Sequence, residues 1–168
     1  GENLAPMMPA ADVARLIRGT RGLVIPAGPA VALSTLWGLR ATEIAATISS
    51  GCDGHVLTVQ TAKGGEVRRH MIQAPVAPVL NFKPYSYSRD AVHHLFDRLM
   101  VASARAPAPH EGWHAIRRAL VTGLRQNHVE RDTIYAFMGW RQNDMIERYW
   151  RPDQAEVDRA VYGSHPFL

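Results

Sequence analysis

One β-hairpin pattern interrupts a sequence whose other apolar residues recur mostly at helical spacing. Residues alternate in character over His55–Gln60 and again over Glu66–Ile72, and the intervening Lys63-Gly64-Gly65 has the composition of a turn. The sequence therefore predicts an antiparallel hairpin with Lys63 at or near its tip. Because the remainder indicates helix, the expected fold class is mainly α with a small antiparallel β-sheet, that is, α+β.

Helices are predicted on both sides of this hairpin. Apolar residues three and four apart define them, and Gly or Pro marks several of their ends. The predicted helices are Ala10–Arg18, a second that begins at Pro29 and is interrupted at Gly38, Ala41–Thr47, Arg89–Ala102, Trp113–Gln126, Glu130–Met138, Asn143–Tyr149 and Gln154–Val161. The chain has 168 residues and no internal repeat, so residues 1–168 are expected to form a single domain.

The charge of the chain is basic and is carried almost entirely by arginine. The formal net charge is +4, and Lys63 and Lys83 are the only lysines. Arginine presents a planar fork of donors that matches phosphate, which makes nucleic acid a reasonable partner. Cys52 is the single cysteine, so no disulfide can form within the chain, and this fits a reducing compartment.

An uncharged stretch at Gly22–Leu39 approaches the length of a membrane span. It contains Pro26 and Pro29 together with several small polar residues. A buried helix preceded by a loop explains this composition better than a span.

Four short motifs follow one another in a fixed order. They are Gly38-Leu39-Arg40-Ala41-Thr42-Glu43, Thr61-Ala62-Lys63-Gly64-Gly65, His114-Ala115-Ile116-Arg117, and Gly139-Trp140 with Tyr149 nine residues after the tryptophan. Together they resemble the catalytic domain of the tyrosine recombinase family. That family has an Arg in a G-L-R-x-x-E box, a Lys on a β-hairpin, an H-x-x-R box, a His or Trp after Gly, and a Tyr about nine residues later. The resemblance covers about Met8–Pro152.

The resemblance implies a site-specific DNA recombinase or integrase that cleaves and rejoins strands through a 3′-phosphotyrosyl intermediate. The implied catalytic residues are Arg40, Lys63, His114, Arg117, Trp140 and Tyr149. No metal or nucleotide cofactor is implied. The implied partner is double-stranded DNA in the cytoplasm, at the nucleoid, bound by a homotetramer of the full-length protein, although an isolated catalytic fragment could be a monomer.

These residue types suit the chemistry of phosphoryl transfer. Two Arg forks and an indole N–H can hold the negative charge that develops on the non-bridging oxygens. Tryptophan only donates, so Trp140 is not an acid–base group. Lys63 could protonate the leaving 5′-oxygen, and His114 could accept the tyrosine proton or bind the phosphate. Glu43 is expected to orient an Arg or to cap a helix.

The sequence departs from the family pattern in several places. Trp140 stands where His is more common, and Arg118 stands where His usually follows the Arg of the H-x-x-R box. Relatives usually carry a helical core-binding domain before the catalytic one, and the pattern begins almost at once here. The chain is therefore expected to be a fragment that lacks this domain. Pro152–Leu168 is expected to dock on a neighbouring subunit, as in relatives.

Three alternative functions are also compatible with the sequence. A type IB topoisomerase would use similar residues to relax DNA without exchanging partners. An inactive DNA-binding regulator would have no need to keep all six catalytic residues. His110-Glu111-Gly112-Trp113-His114 matches the H-E-x-x-H signature of zinc proteases, but that signature requires one continuous helix, and Pro109 and Gly112 argue against it.

Overall fold

The computed structural model describes residues 7–20, 26–62, 64–140 and 153–168. Within these ranges the chain forms seven helices and two two-stranded antiparallel sheets. The helices are α1 (Ala10–Gly19), α2 (Ala27–Trp37), α3 (Ala41–Ser50), α4 (Arg89–Ala102), α5 (Trp113–Gln126), α6 (Arg131–Met138) and α7 (Gln154–Tyr162). The strands are β1 (Cys52–Asp53), β2 (Val56–Gln60), β3 (Val67–Met71) and β4 (Asn81–Phe82). The predicted fold class is confirmed.

The predicted hairpin is formed by β2 and β3. Its register pairs Leu57 with His70 and Val59 with Arg68, and all four of these side chains are buried on one face. The opposite face is exposed, as the two-residue period of a strand requires. The hairpin therefore directs an Arg and a His side chain into the interior of the protein.

A second short strand pair, β1 with β4, adds to the single sheet that the sequence predicts. Cys52 pairs with Phe82 and Asp53 with Asn81. Two-residue strands are too short to show alternation, and β4 lies within Ala74–Pro84, a segment that contains three prolines. This pair fixes the chain between the hairpin and α4.

Helix α2 runs through the centre of the core and is buried on nearly every face. This buried helix of eleven residues forms most of the described part of the uncharged stretch Gly22–Leu39. None of the described helices is long and apolar enough to cross a membrane.

The C-terminal segment packs against its own domain. Val157 and Val161 of α7 are buried, and His165 donates from Nε2 to the carbonyl of Leu36 at 2.9 Å. Asp158 of the same helix is also buried and contacts His70 of β3. The described part of this segment, residues 153–168, therefore has extensive contacts within the chain, and its docking on a neighbouring subunit stays a prediction.

Candidate functional site

Two helix ends deliver residues of the recombinase-like motifs to the site. Helix α2 ends with Gly38 at φ 64°, and α6 ends with Gly139 at φ 70°, both in the left-handed region that glycine adopts without strain. A Cβ at Gly139 would also overlap the Thr61 hydroxyl of the hairpin loop. These two turns explain the glycines that precede Arg40 and Trp140.

Arg40 is held by Glu43 at the start of α3. The Arg40 backbone N–H donates to Glu43 Oε1 at 2.8 Å, and Arg40 Nη1 donates to Oε2 at 3.2 Å. The same Oε2 accepts the backbone N–H of Ala62 in the hairpin loop at 2.8 Å. Glu43 is 3% exposed, so these charge-assisted bonds are shielded from water. Both expected roles of Glu43, orienting an Arg and capping a helix, are confirmed.

Arg117 lies on α5 and is buried, with 7% of the residue exposed. Its Nη1 donates to the carbonyl of Gly38, whereas its Nη2 is buried without a hydrogen-bond partner among the described residues. Burial, and then the positive charges of Arg40 and Arg68, lower the pKa of Arg117 to about 9. Arg117 therefore stays charged at neutral pH, and one of its donors is unused within the described residues.

Trp140 lies between Arg117 and an open cleft. The Arg117 Cζ atom is 5.4 Å from the centroid of the Trp140 ring, a cation–π arrangement. The Tyr135 ring meets the same indole edge-on at 5.2 Å. The cleft has a volume of about 390 Å³ and is lined by Arg40, Thr61, Ala62, Gly64, Gly65, Tyr135 and Trp140.

The structure brings three of the six sequence-predicted residues together, namely Arg40, Arg117 and Trp140. His114 is exposed on the first turn of α5, one turn before Arg117. Lys63 and Tyr149, together with the predicted helix Asn143–Tyr149, lie outside the described residues. The catalytic roles of all six residues stay predictions.

Sequence reasoning gave no role to three residues in or near this cleft: Thr61, which it named only as part of a motif, Arg68 and Tyr135. The Thr61 hydroxyl is buried without a hydrogen-bond partner among the described residues. Arg68 is 1% exposed, and burial, the largest influence, lowers its pKa to about 10. The hairpin alternation carried the signal for Arg68, because the register places it opposite the apolar Val59.

The zinc-protease alternative fails on geometry. Helix α5 begins at Trp113, so His110 lies before the helix, in a turn with φ 63°. Glu111 is engaged in an ion pair with Arg105. No group of three or more His, Cys, Asp or Glu side chains in the described part of the chain is arranged to hold a metal ion.

Comparison with known proteins supports the fold. No family model matches the sequence, and no curated protein matches it. Among solved structures, the integrase from mycobacterium phage Brujita matches with a TM-score of 0.72 at 16% identity, over 100% of this chain and 61% of that chain. XerA recombinase matches with a TM-score of 0.65 at 12% identity, over 97% of this chain and 66% of that chain.

Both of these proteins are tyrosine recombinases, so the chain has the catalytic-domain fold of that class. The resemblance inferred from the sequence motifs is thereby confirmed at the level of the fold. The chain spans 61% and 66% of the lengths of the two solved chains.

Proposed function

We propose that this chain is the catalytic domain of a site-specific DNA recombinase or integrase that works through a 3′-phosphotyrosyl intermediate. The proximity of Arg40, Arg117 and Trp140 carries the proposal. Arg40 and Trp140 line one cleft, and the Arg117 guanidinium lies against the face of the Trp140 ring with one buried donor that has no hydrogen-bond partner among the described residues. Such a set of donors suits a phosphate oxyanion.

The proposed reaction exchanges one phosphodiester for another. The Tyr149 oxygen attacks the scissile phosphorus, and the bond from phosphorus to the 5′-oxygen breaks. Lys63 donates a proton to the leaving 5′-oxygen, while His114 accepts the tyrosine proton or binds the phosphate. Rejoining reverses these steps and needs no nucleotide, because the energy is kept in the phosphotyrosyl bond. The Arg pair supplies the charge stabilisation that a metal ion gives in other phosphoryl-transfer enzymes.

The proposed partner is double-stranded DNA, and the proposed assembly is a homotetramer of the full-length protein on two duplexes. The expected location is the cytoplasm, at the nucleoid. The basic, Arg-dominated composition and the recombinase fold support DNA as the partner. A single domain over residues 1–168 remains part of the proposal.

Covalent trapping tests the proposal. The protein is mixed, in the presence of a chelator, with a pool of duplexes that are nicked near a randomised central sequence. The short fragment released at the nick diffuses away and prevents rejoining. We expect a protein–DNA adduct on a denaturing gel that disappears in Tyr149→Phe and persists in the matched control Tyr85→Phe, since Tyr85 is 48% exposed and does not line the cleft. Adducts that depend on added metal would contradict the proposal.

A second assay separates recombination from topoisomerase activity. The trapped sequences are placed in two distinguishable plasmids, one of them supercoiled. Joint products between the plasmids are expected from a recombinase. Relaxation of the supercoiled plasmid without joint products would favour the type IB topoisomerase alternative, and DNA binding without any adduct would favour the inactive regulator.

A further inference from the structure

Arg68 is a buried cation that joins two helix ends. Its Nη2 donates to the carbonyl of Trp37, the last residue of α2, at 2.8 Å. Its Nη1 donates to the carbonyl of Phe137 in the last turn of α6. One guanidinium on β3 therefore links three separate segments of the chain.

The chemistry of this contact requires an arginine fork. The last carbonyls of a helix have no partner within the helix, and they carry the negative end of the helix dipole. Two such ends point at one guanidinium, whose planar geometry lets it donate to both at once. A lysine at this position is a single point donor and cannot reproduce the bridge.

The two carbonyls lie immediately before the turns that lead into the site. Trp37 is three residues before Arg40, and Phe137 is three residues before Trp140. The adjacent carbonyl of Gly38 is bound by Arg117. Arg68 and Arg117 thus hold consecutive carbonyls at the end of α2.

Burying the charge of Arg68 costs free energy, which indicates that its contacts with the two helix ends have a role other than stability. A buried charge commonly contributes less to stability than an apolar residue of similar volume would. Nε of Arg68 is also buried without a hydrogen-bond partner in the described part of the chain. Stability alone gives little reason for a guanidinium here, whereas fixing the spacing of two helix ends gives a direct one.

We propose that Arg68 is a positioning residue that sets Arg40 and Trp140 at the spacing needed to hold the scissile phosphate between them. The proposal rests on the proposed function for its chemical consequence. Its structural content, the relative placement of the ends of α2 and α6, does not depend on that function.

The test compares Arg68→Lys with Arg69→Lys. Arg69 is the next residue on β3, is exposed on the opposite face and receives the same substitution, so it is a matched control. Three quantities are measured at a temperature at which both variants are folded. They are the DNA dissociation constant in a Tyr149→Phe background, the single-turnover rate of adduct formation at saturating DNA, and the indole N–H resonance of Trp140, assigned with Trp140→Phe.

We expect Arg68→Lys to lower the adduct rate roughly 10- to 100-fold, because small misplacements of catalytic groups cost rates of this order. We expect its DNA dissociation constant to stay unchanged and its Trp140 resonance to move. Arg69→Lys should leave the rate and the resonance at their wild-type values. Should Arg68→Lys fail to fold, Arg68→Gln, which can reach one carbonyl at most, takes its place.

Two results would overturn the inference. One is a wild-type adduct rate and an unmoved Trp140 resonance in Arg68→Lys. The other is a rate loss matched by an equal loss of DNA affinity, which would make Arg68 a binding residue. If the wild-type protein forms no adduct, the proposed function fails, while the Trp140 resonance still decides whether Arg68 positions the end of α6.

Discussion

Arg117 combines burial, a lowered pKa and an unused donor, and these features lead to opposite expectations for stability and activity. We expect Arg117→Met to slow adduct formation about 10²- to 10³-fold, the usual cost of losing an oxyanion donor. We expect its unfolding temperature to stay within a few degrees of wild type, because an apolar residue in place of a buried, incompletely paired charge is often neutral. Single-turnover trapping and thermal unfolding measure the two effects. Near-normal trapping would remove Arg117 from the site.

Glu43 couples Arg40 to the hairpin loop through one carboxylate. In Glu43→Gln, an amide NH2 would face either the Arg40 backbone N–H, in place of Oε1, or both the Arg40 guanidinium and the Ala62 N–H, in place of Oε2. Either orientation leaves at least one donor unpaired. We expect the free energy of unfolding to fall by about 1–3 kcal/mol. We also expect slower adduct formation, because Arg40 is no longer held. Denaturant unfolding provides the measurement.

The control for this variant is Glu156→Gln on the exposed face of α7. It removes the same charge from a residue that takes no part in the cleft. An equal loss of stability in both variants would show that net charge, rather than the Glu43 contacts, is responsible.

The motif residues could be predicted from the sequence more readily than the residues that surround them. Arg40, Arg117 and Trp140 stand in motifs with defined spacing, so they could be predicted to meet. Thr61 and Tyr135 could not, because nothing in their local sequence distinguishes a cleft wall from an ordinary loop or helix residue. Arg68 was predictable in part. The two-residue period of the strand places its side chain on the buried face but does not indicate which carbonyls it binds.

At the scale of elements, helix ends could be predicted where a glycine or a capping residue marks them in the sequence. Helices α2 and α6 stop at glycines that adopt positive φ. Ser88 caps the start of α4, and its hydroxyl accepts the Ala91 N–H at 3.1 Å. The β1–β4 pair could not be predicted, because its register depends on contacts between distant segments. The docking of α7 depends on tertiary contacts of the same kind.

The docking of α7 relies on a buried polar pair that joins it to β3. His70 Nδ1 and Asp158 Oδ1 are 2.8 Å apart, and Asp158 Oδ2 accepts the Met71 N–H at 2.9 Å. Tyr162 adds a bridge, accepting from the Trp37 indole at 3.0 Å and donating to the Met71 carbonyl at 2.7 Å. The last helix is thereby fastened to the hairpin by side chains that are far apart in the sequence.

This pair predicts a pH dependence of stability. Burial outweighs the Asp158 hydrogen bond and lowers the pKa of His70 to about 4 from an unfolded value of about 6.5. Below pH 6.5 the unfolded state therefore binds more protons than the folded state, and the free energy of unfolding falls as the pH drops toward 4. We expect His70→Asn to be less stable at pH 7 but to lose stability less steeply between pH 7 and 5.

The matched control is His94→Asn, at an exposed position on α4. It should keep the wild-type slope of unfolding temperature against pH. Some slope should remain in His70→Asn, because burial also lowers the pKa of His165. An unchanged slope in His70→Asn would show that His70 is not the main source of the acid sensitivity.

At the scale of the whole molecule, the described part of the chain brings three arginine side chains close together near the cleft that Arg40 and Trp140 line. Arg40, Arg68 and Arg117 act on one another electrostatically, and Glu43 is the carboxylate that offsets them most directly. The net charge of +4 adds a general attraction to DNA, which is expected to weaken as salt is raised. Affinity is therefore expected to come from the basic surface, and chemistry from the cleft.

The identity of the attacking residue tests the proposed mechanism most directly. Tyr135 also lines the cleft, whereas the Tyr162 hydroxyl is engaged with Trp37 and Met71. Trapped adducts would be digested with nuclease and protease, and the nucleotide-bearing peptide identified by mass spectrometry. We expect a nucleotide linked through phosphate to Tyr149 and no adduct from Tyr149→Phe. A nucleotide on Tyr135, or undiminished adduct from Tyr149→Phe, would contradict the mechanism.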